Sequence, residues 1–303
     1  MIPRFLVKRL DSLLREQLET NDAGLAIDFT KPVGEAALAE ADSASWQVFR
    51  NPVSLLIGGI AAVLLELAEP RVRSGVWEYS SFATDPLRRM RRTGMAAMVT
   101  VYGARSTAEQ MIAGIGRMHA KIQGTTPDGI AYRADDPVLL RWVHATALFG
   151  FLEAYRQFVR PVSAADRDRF IAEGVPAALL YGALDPPSSE TELLTLFDNT
   201  LPDLEPSEIV HDFLRILRGV ELFPRPLKPM TGLVIRAAVS ILPAAVQERL
   251  GLRKLANLPP GGRLLLRTLG SQIDWLPLDS TPAAQSCLRM GLPSDYLAKR
   301  RRS

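Results

Sequence analysis

The chain of 303 residues is 47% hydrophobic and 23% charged, so it has ample material for a large core and is not a disordered polymer. Its 36 basic and 33 acidic residues leave a net charge of +3, which gives no bulk electrostatic case for binding nucleic acid. One cysteine, Cys287, excludes an intramolecular disulfide and any cysteine-rich zinc or iron–sulfur centre, and it fits a reducing, cytoplasmic setting.

In chain order, Leu6, Leu10, Leu13, Leu14 and Leu18 predict an amphipathic N-terminal helix. Charges interrupt its short apolar start, so it does not read as a secretory signal. A loop from Asn21 to about Ser45 follows, turning at Lys31-Pro32. The apolar window Pro52 to Ala68, interrupted by Gly58-Gly59 and Glu66, falls short of the about 20 residues that span a bilayer. It reads as a buried core helix, followed by a connector with Trp77, Tyr79 and Phe82.

Asp85-Pro86 places an N-cap and an N1 proline before a basic helix. Ser106 and Glu109 have capping-box spacing and start the helix that carries His119. A polar turn from Gly124 to Gly129 separates it from a helix opened by Asp136-Pro137 that carries His144. Ser163 with Asp166 caps another helix. Asp185-Pro186-Pro187 makes a rigid loop before a helix from Glu190 to Asn199, and a further helix from about Ser207 bears His211. Prolines at 224, 226, 229, 243, 259 and 260 shorten the helices of the last third.

No run of alternating strands and no internal repeat is evident. The expected fold is all-α, a single large helical domain. Residues 1–45 form an N-terminal helix and loop, 46–225 a helical core, and 226–303 a C-terminal extension packed on that core. The terminal Lys299 to Arg302 run reads as a solvated end with the option of a weak, peripheral contact with anionic lipid.

Only three histidines occur, and two of them, His119 and His144, lie between Asp85 and Phe151 on separate predicted helices. His119 shares helical spacing with Ile112, Ile115 and Ile122, and Gly116 one turn back would let a flat ring approach the backbone. His144 is surrounded by Leu140, Leu148 and Phe151. Each, taken singly, also reads as a core histidine. On the basic helix, Arg89, Thr93, Ala97 and Thr100 share a face, flanked by Arg92 and Ala96, so cations alternate with small residues that leave space above them. A facial triad of His119, His144 and a carboxylate would suit non-haem iron, but the spacing picks no carboxylate. Glu208-Ile-Val-His211 is a single Glu-x-x-His copy, whereas a ferritin-like di-iron site needs two. There is no nucleophile elbow and no phosphate-cradling motif, and Cys287 as a haem thiolate remains formally open.

Together these pieces resemble the MpaB/latex-clearing-protein oxygenase family. The resemblance rests on Arg89 and Thr93, Met118-His119, the run Tyr132-Arg133-Ala134-Asp135-Asp136-Pro137, and Leu139-Leu140-Arg141-Trp142-Val143-His144-Ala145-Thr146. The Gly58-Gly59 helix, Trp77-Glu78-Tyr79-Ser80, Asp85-Pro86 and Leu184 to Ser189 fit as well, covering about residues 45–200. The resemblance implies a helical fold enclosing a haem b pocket, with dioxygen as co-substrate and a small hydrophobic, unsaturated, isoprenoid- or lipid-like substrate. It implies His119 as the axial iron ligand, Arg89 and Thr93 on the distal dioxygen side, and His144 as a supporting residue near the cofactor. Arg92 falls where latex-clearing members carry a lysine that can reach the iron, and arginine is a poor iron ligand. Two alternatives remain open: a haem-binding protein that stores or senses haem or a gas, and a cofactor-free helical lipid-binding module.

Overall fold

The computed structural model describes residues 27–82, 84–223 and 225–300, together with Asp11. The expected helix through Leu6 and Leu18 lies outside the described residues. Among the described residues fourteen helices form one body, and five of them begin where a capping side chain meets a proline. Asn51 caps α2 (Pro52–Ala68), which follows the short α1 (Ala44–Val48), and accepts from the amides of Val53 and Ser54. Glu69 caps α3 (Pro70–Tyr79), Asp85 caps α4 (Pro86–Tyr102), and Asp136 caps α6 (Pro137–Phe158), each with proline in the first turn. Between α4 and α6 runs α5 (Arg105–His119).

The centre of the fold is the crossing of α2 and α6. Ile57, Ile60, Leu64, Leu65 and Leu67 of α2 are almost wholly buried, as are Ala145, Ala154, Tyr155 and Phe158 of α6. The two helices approach backbone to backbone at Gly58 and Gly150. Around this pair pack α7 (Ala164–Tyr181) and α8 (Glu190–Thr200) on one side, and α10 (Pro229–Ser240) and α12 (Gly262–Ile273) on the other. Tilted ring pairs tie the layers together: Trp142 and Phe149 both meet Phe197 of α8, and Phe49 meets Phe151. The remaining helices, α9 (Glu208–Gly219), α11 (Ala244–Arg249), α13 (Pro282–Arg289) and α14 (Tyr296–Arg300), complete the shell.

Three local expectations change. The connector holding Trp77 and Tyr79 is the helix α3, because Glu69-Pro70 starts a new helix at once and turns it by 110° from α2. The polar turn after His119 is a two-stranded antiparallel hairpin, β1 (Gln123–Thr125) with β2 (Ala131–Arg133). Its loop closes through Gly129 at φ 84, and Tyr132 donates to Glu78 while Tyr79 donates to the Gln123 carbonyl. The third change concerns the start of α5. Glu109 does not close a capping box; Glu35, far upstream, accepts from both the amide and the hydroxyl of Ser106.

No single helix among the described residues is long and apolar enough to cross a membrane, and α2 with α3 passes that test only as a sharply bent pair.

Candidate active site

Three helices bring ionisable side chains to one chamber. Glu66 comes from the C-terminal half of α2, Arg89 from the second turn of α4, and His119 is the last residue of α5. Arg89 lies within electrostatic reach of both others: it lowers the Glu66 carboxyl and lowers the His119 imidazole. Burial is the larger cause at each. It drives the Glu66 pKa up to about 7 against the pull of Arg89 and a hydrogen bond to Thr146. It drives His119 below the usual value, helped by Arg89 and opposed by the Asp135 carboxylate. His119 is therefore a neutral imidazole at neutral pH.

Although protein surrounds Glu66 and Arg89 on most sides, both remain only half-buried. Each therefore keeps some accessible surface and is not part of the close-packed core. Gly94 and Gly116 border open space too, since a methyl group built on either meets no atom within 4 Å. Gly116, one turn before His119 on α5, thus leaves room on that helix near the imidazole, and Gly94 is exposed on α4.

Arg89 and Thr93 are linked within one turn: the Arg89 guanidinium donates to the Thr93 hydroxyl, which donates to the Arg89 carbonyl at 3.1 Å. Arg89 also sits 5.8 Å from the centre of the Phe82 ring, which braces its stem. Arg92 is exposed and close enough to repel Arg89. Among the described residues Arg88, Arg91 and Arg92 make no ion pair, so the end of α4 presents uncompensated positive charge.

His119 sits differently from its sequence spacing. The helix ends on it, so Ile122 lies beyond α5, its amide bonded to the His119 carbonyl at 2.9 Å. The hairpin then folds back and Ala134 bonds Ile122, which brings Asp135 beside the imidazole.

His144 is not brought to this group. It faces α7, where a methyl group on Gly174 would come within 3.1 Å of its ring. Its Nε2 is buried with no hydrogen-bond partner, and burial alone pushes its pKa down to about 4. Charged groups take no part in that shift. Cys287 is fully buried on α13 with its thiol pushed up to about 11 by burial, so it is no thiolate ligand. His211 is exposed on α9. Among the described residues no three His, Cys, Asp or Glu side chains converge to hold a metal ion, which removes the facial triad. A flat cofactor needing one imidazole fits the donors present: a neutral His119, space beside Gly94 and Gly116, and free arginines for acidic groups.

Sequence reasoning had passed over Glu66, treating it as an interruption of an apolar run. Its position inside that run was the signal: a carboxylate on a largely buried helix needs a reason.

Residues 46–275 match the family model described as ER-bound oxygenase mpaB/B'/rubber oxygenase, catalytic domain. The chain belongs to that family. The match takes in the whole α2–α6 core, and with it Glu66, Arg89, Thr93, His119 and His144. The family is one of oxygenases by its description, and the mostly helical fold agrees with the all-α expectation. No curated protein and no solved structure gives a match.

Proposed function

We propose that this member of the mpaB/rubber-oxygenase family is a haem b-dependent oxygenase acting with dioxygen on a small hydrophobic, unsaturated, isoprenoid- or lipid-like substrate. The carrying observation is the station of Arg89 between Glu66 and His119, on the wall of a chamber bordered by two open glycines. Haem held there by His119 would supply the iron that activates dioxygen.

The protein's own contributions follow from the geometry. His119, kept unprotonated by burial and by Arg89, offers a nitrogen lone pair. Arg88, Arg91 and Arg92 offer charge to the propionates of the cofactor. Arg89, held in place by the Thr93 hydroxyl that accepts from it, would present its remaining donors already oriented where negative charge develops. Glu66 titrates near neutrality, so its carboxyl can hold a proton or accept one beside Arg89 without a large energetic penalty.

The test is the pyridine haemochrome spectrum of protein expressed with haem precursor. Wild type should give a strong Soret band and a haem b haemochrome, and His119→Ala should lose both while keeping its helical circular dichroism. A wild-type protein that refuses added hemin would leave a helical lipid-binding module, and a haem protein that consumes no dioxygen with olefins would leave a haem store or sensor.

A further inference from the structure

The polar stripe of α4 does not end at Thr93. Thr100 lies seven residues further on, which returns to the same side of the helix about 10 Å along its axis. Between them stand only Gly94 and the methyl side chains of Ala96 and Ala97, beside the bulkier Met95, Met98 and Val99 on the other faces. At the far end a second hydroxyl arrives from another helix. Tyr181, the last residue of α7, brings its phenol oxygen to 3.1 Å from the Thr100 hydroxyl. Its cap, Gly182, turns the chain away in the left-handed region at φ 93. Both side chains stay half-buried and keep accessible surface, and burial holds the phenol protonated.

Either hydroxyl can donate across this contact, and the arrangement that also serves the Ala96 carbonyl fixes the direction. Thr100 has one hydroxyl proton, and it is given to the Ala96 carbonyl at 2.9 Å. Thr100 must then accept from Tyr181, which uses the only proton of the phenol. Both oxygens then keep a free lone pair and have no proton left to give.

We propose that the Thr100–Tyr181 pair is a specificity site of the chamber that accepts a hydrogen bond from a substrate hydroxyl group, selecting alcohols over ketones, esters or ethers. The alanine-lined wall of α4 would lie along the apolar chain, and the reacting carbon would sit toward Arg89 and Thr93. This rests on the reading of that chamber as the substrate site.

The experiment is calorimetric titration of the purified, haem-loaded protein with decan-1-ol and with its methyl ether, which has the same chain and no donor. Wild type should bind the alcohol about tenfold more tightly, the value of one hydrogen bond to a neutral acceptor in a half-buried site. Tyr181→Phe, which keeps the ring and its packing, should bring the two affinities together by weakening the alcohol alone. Equal binding of both probes by wild type, no binding of the alcohol, or the same preference in Tyr181→Phe overturns the proposal. The haemochrome is read on the same samples. A Soret band with no alcohol preference sinks this pair alone, and an alcohol preference without haem sinks the oxygenase reading alone.

Discussion

Gly58 of α2 and Gly150 of α6 lie back to back at the centre of the protein, so that a methyl group on Gly58 would come within 2.7 Å of the Gly150 carbonyl oxygen. The reverse substitution would bring a methyl group on Gly150 within 2.5 Å of the Gly58 oxygen. The obstacle on both sides is backbone, which cannot rotate away. Glu66 stands two turns further along α2, so the same contact sets where the chamber's carboxylate lies.

Gly58→Ala and Gly150→Ala should each destabilise the fold by about 3 kcal/mol or more, the upper range for overpacking. Gly59→Ala, whose methyl group would make only an ordinary 3.9 Å contact with the Phe151 ring, should change stability by less than about 1 kcal/mol. Urea denaturation of the three variants separates the cases. Equal losses at all three positions would refute the close-crossing argument.

Arg89 acts on two groups with one sign. It lowers both the Glu66 carboxyl and the His119 imidazole. In the haem-free protein, Arg89→Met should therefore raise both pKa values, moving Glu66 above about 7 and His119 back toward its usual range. Imidazole resonances of His119 followed by NMR across pH 4 to 8 would show the shift. No movement would mean that the two side chains are not in one chamber.

Glu66 and His144 pull the pH dependence of stability in opposite directions. Glu66 titrates at about 7 when folded and near 4.5 when unfolded, so stability from the neutral carboxyl is present below 4.5 and lost as pH rises through 7. His144 titrates at about 4 when folded and near 6.5 when unfolded, so stability is present above 6.5 and lost as pH falls through 4. Each contribution is at most about 3 kcal/mol. Relative to wild type, Glu66→Gln should gain stability as pH rises from 4.5 to 7, and His144→Gln should gain it as pH falls from 6.5 to 4. Denaturation midpoints of haem-free protein at four pH values test both slopes.

Glu35 and Glu109 compete, on paper, to cap α5. The structure gives the task to Glu35, so Glu35→Ala should lower the melting temperature, with Glu109→Ala close to wild type. The opposite order would restore the local capping box.

Cys287 should be silent to a thiol reagent at pH 8 in the folded protein and fully reactive in guanidinium, because burial both hides the sulfur and holds its proton. Rapid labelling of native protein would contradict its place in the core.

Much of this protein is set by short stretches of chain. Asn51-Pro52, Asp85-Pro86 and Asp136-Pro137 start helices because a side-chain acceptor beside a residue preset for helical φ satisfies the first amides without help from elsewhere, and Ser163 does so by its hydroxyl alone. The all-α fold, the shared face of Arg89, Thr93 and Thr100, and the rarity of histidine are likewise local facts, readable from spacing. What tertiary packing decided depends on distance through space. Glu35 replaced Glu109 as the cap of α5 because a residue far away in sequence came nearer. The hairpin after His119 is held against α3, where Tyr132 donates to Glu78. Glu66 titrates near 7 because packing buries its carboxyl, with α4 delivering Arg89 to pull against that shift, and His144 turned toward α7 because Gly174 had room for its ring. Helical period fixes which residues share a face, but the partner across the gap is chosen by how whole helices cross, and a single sequence does not carry that crossing in any short segment.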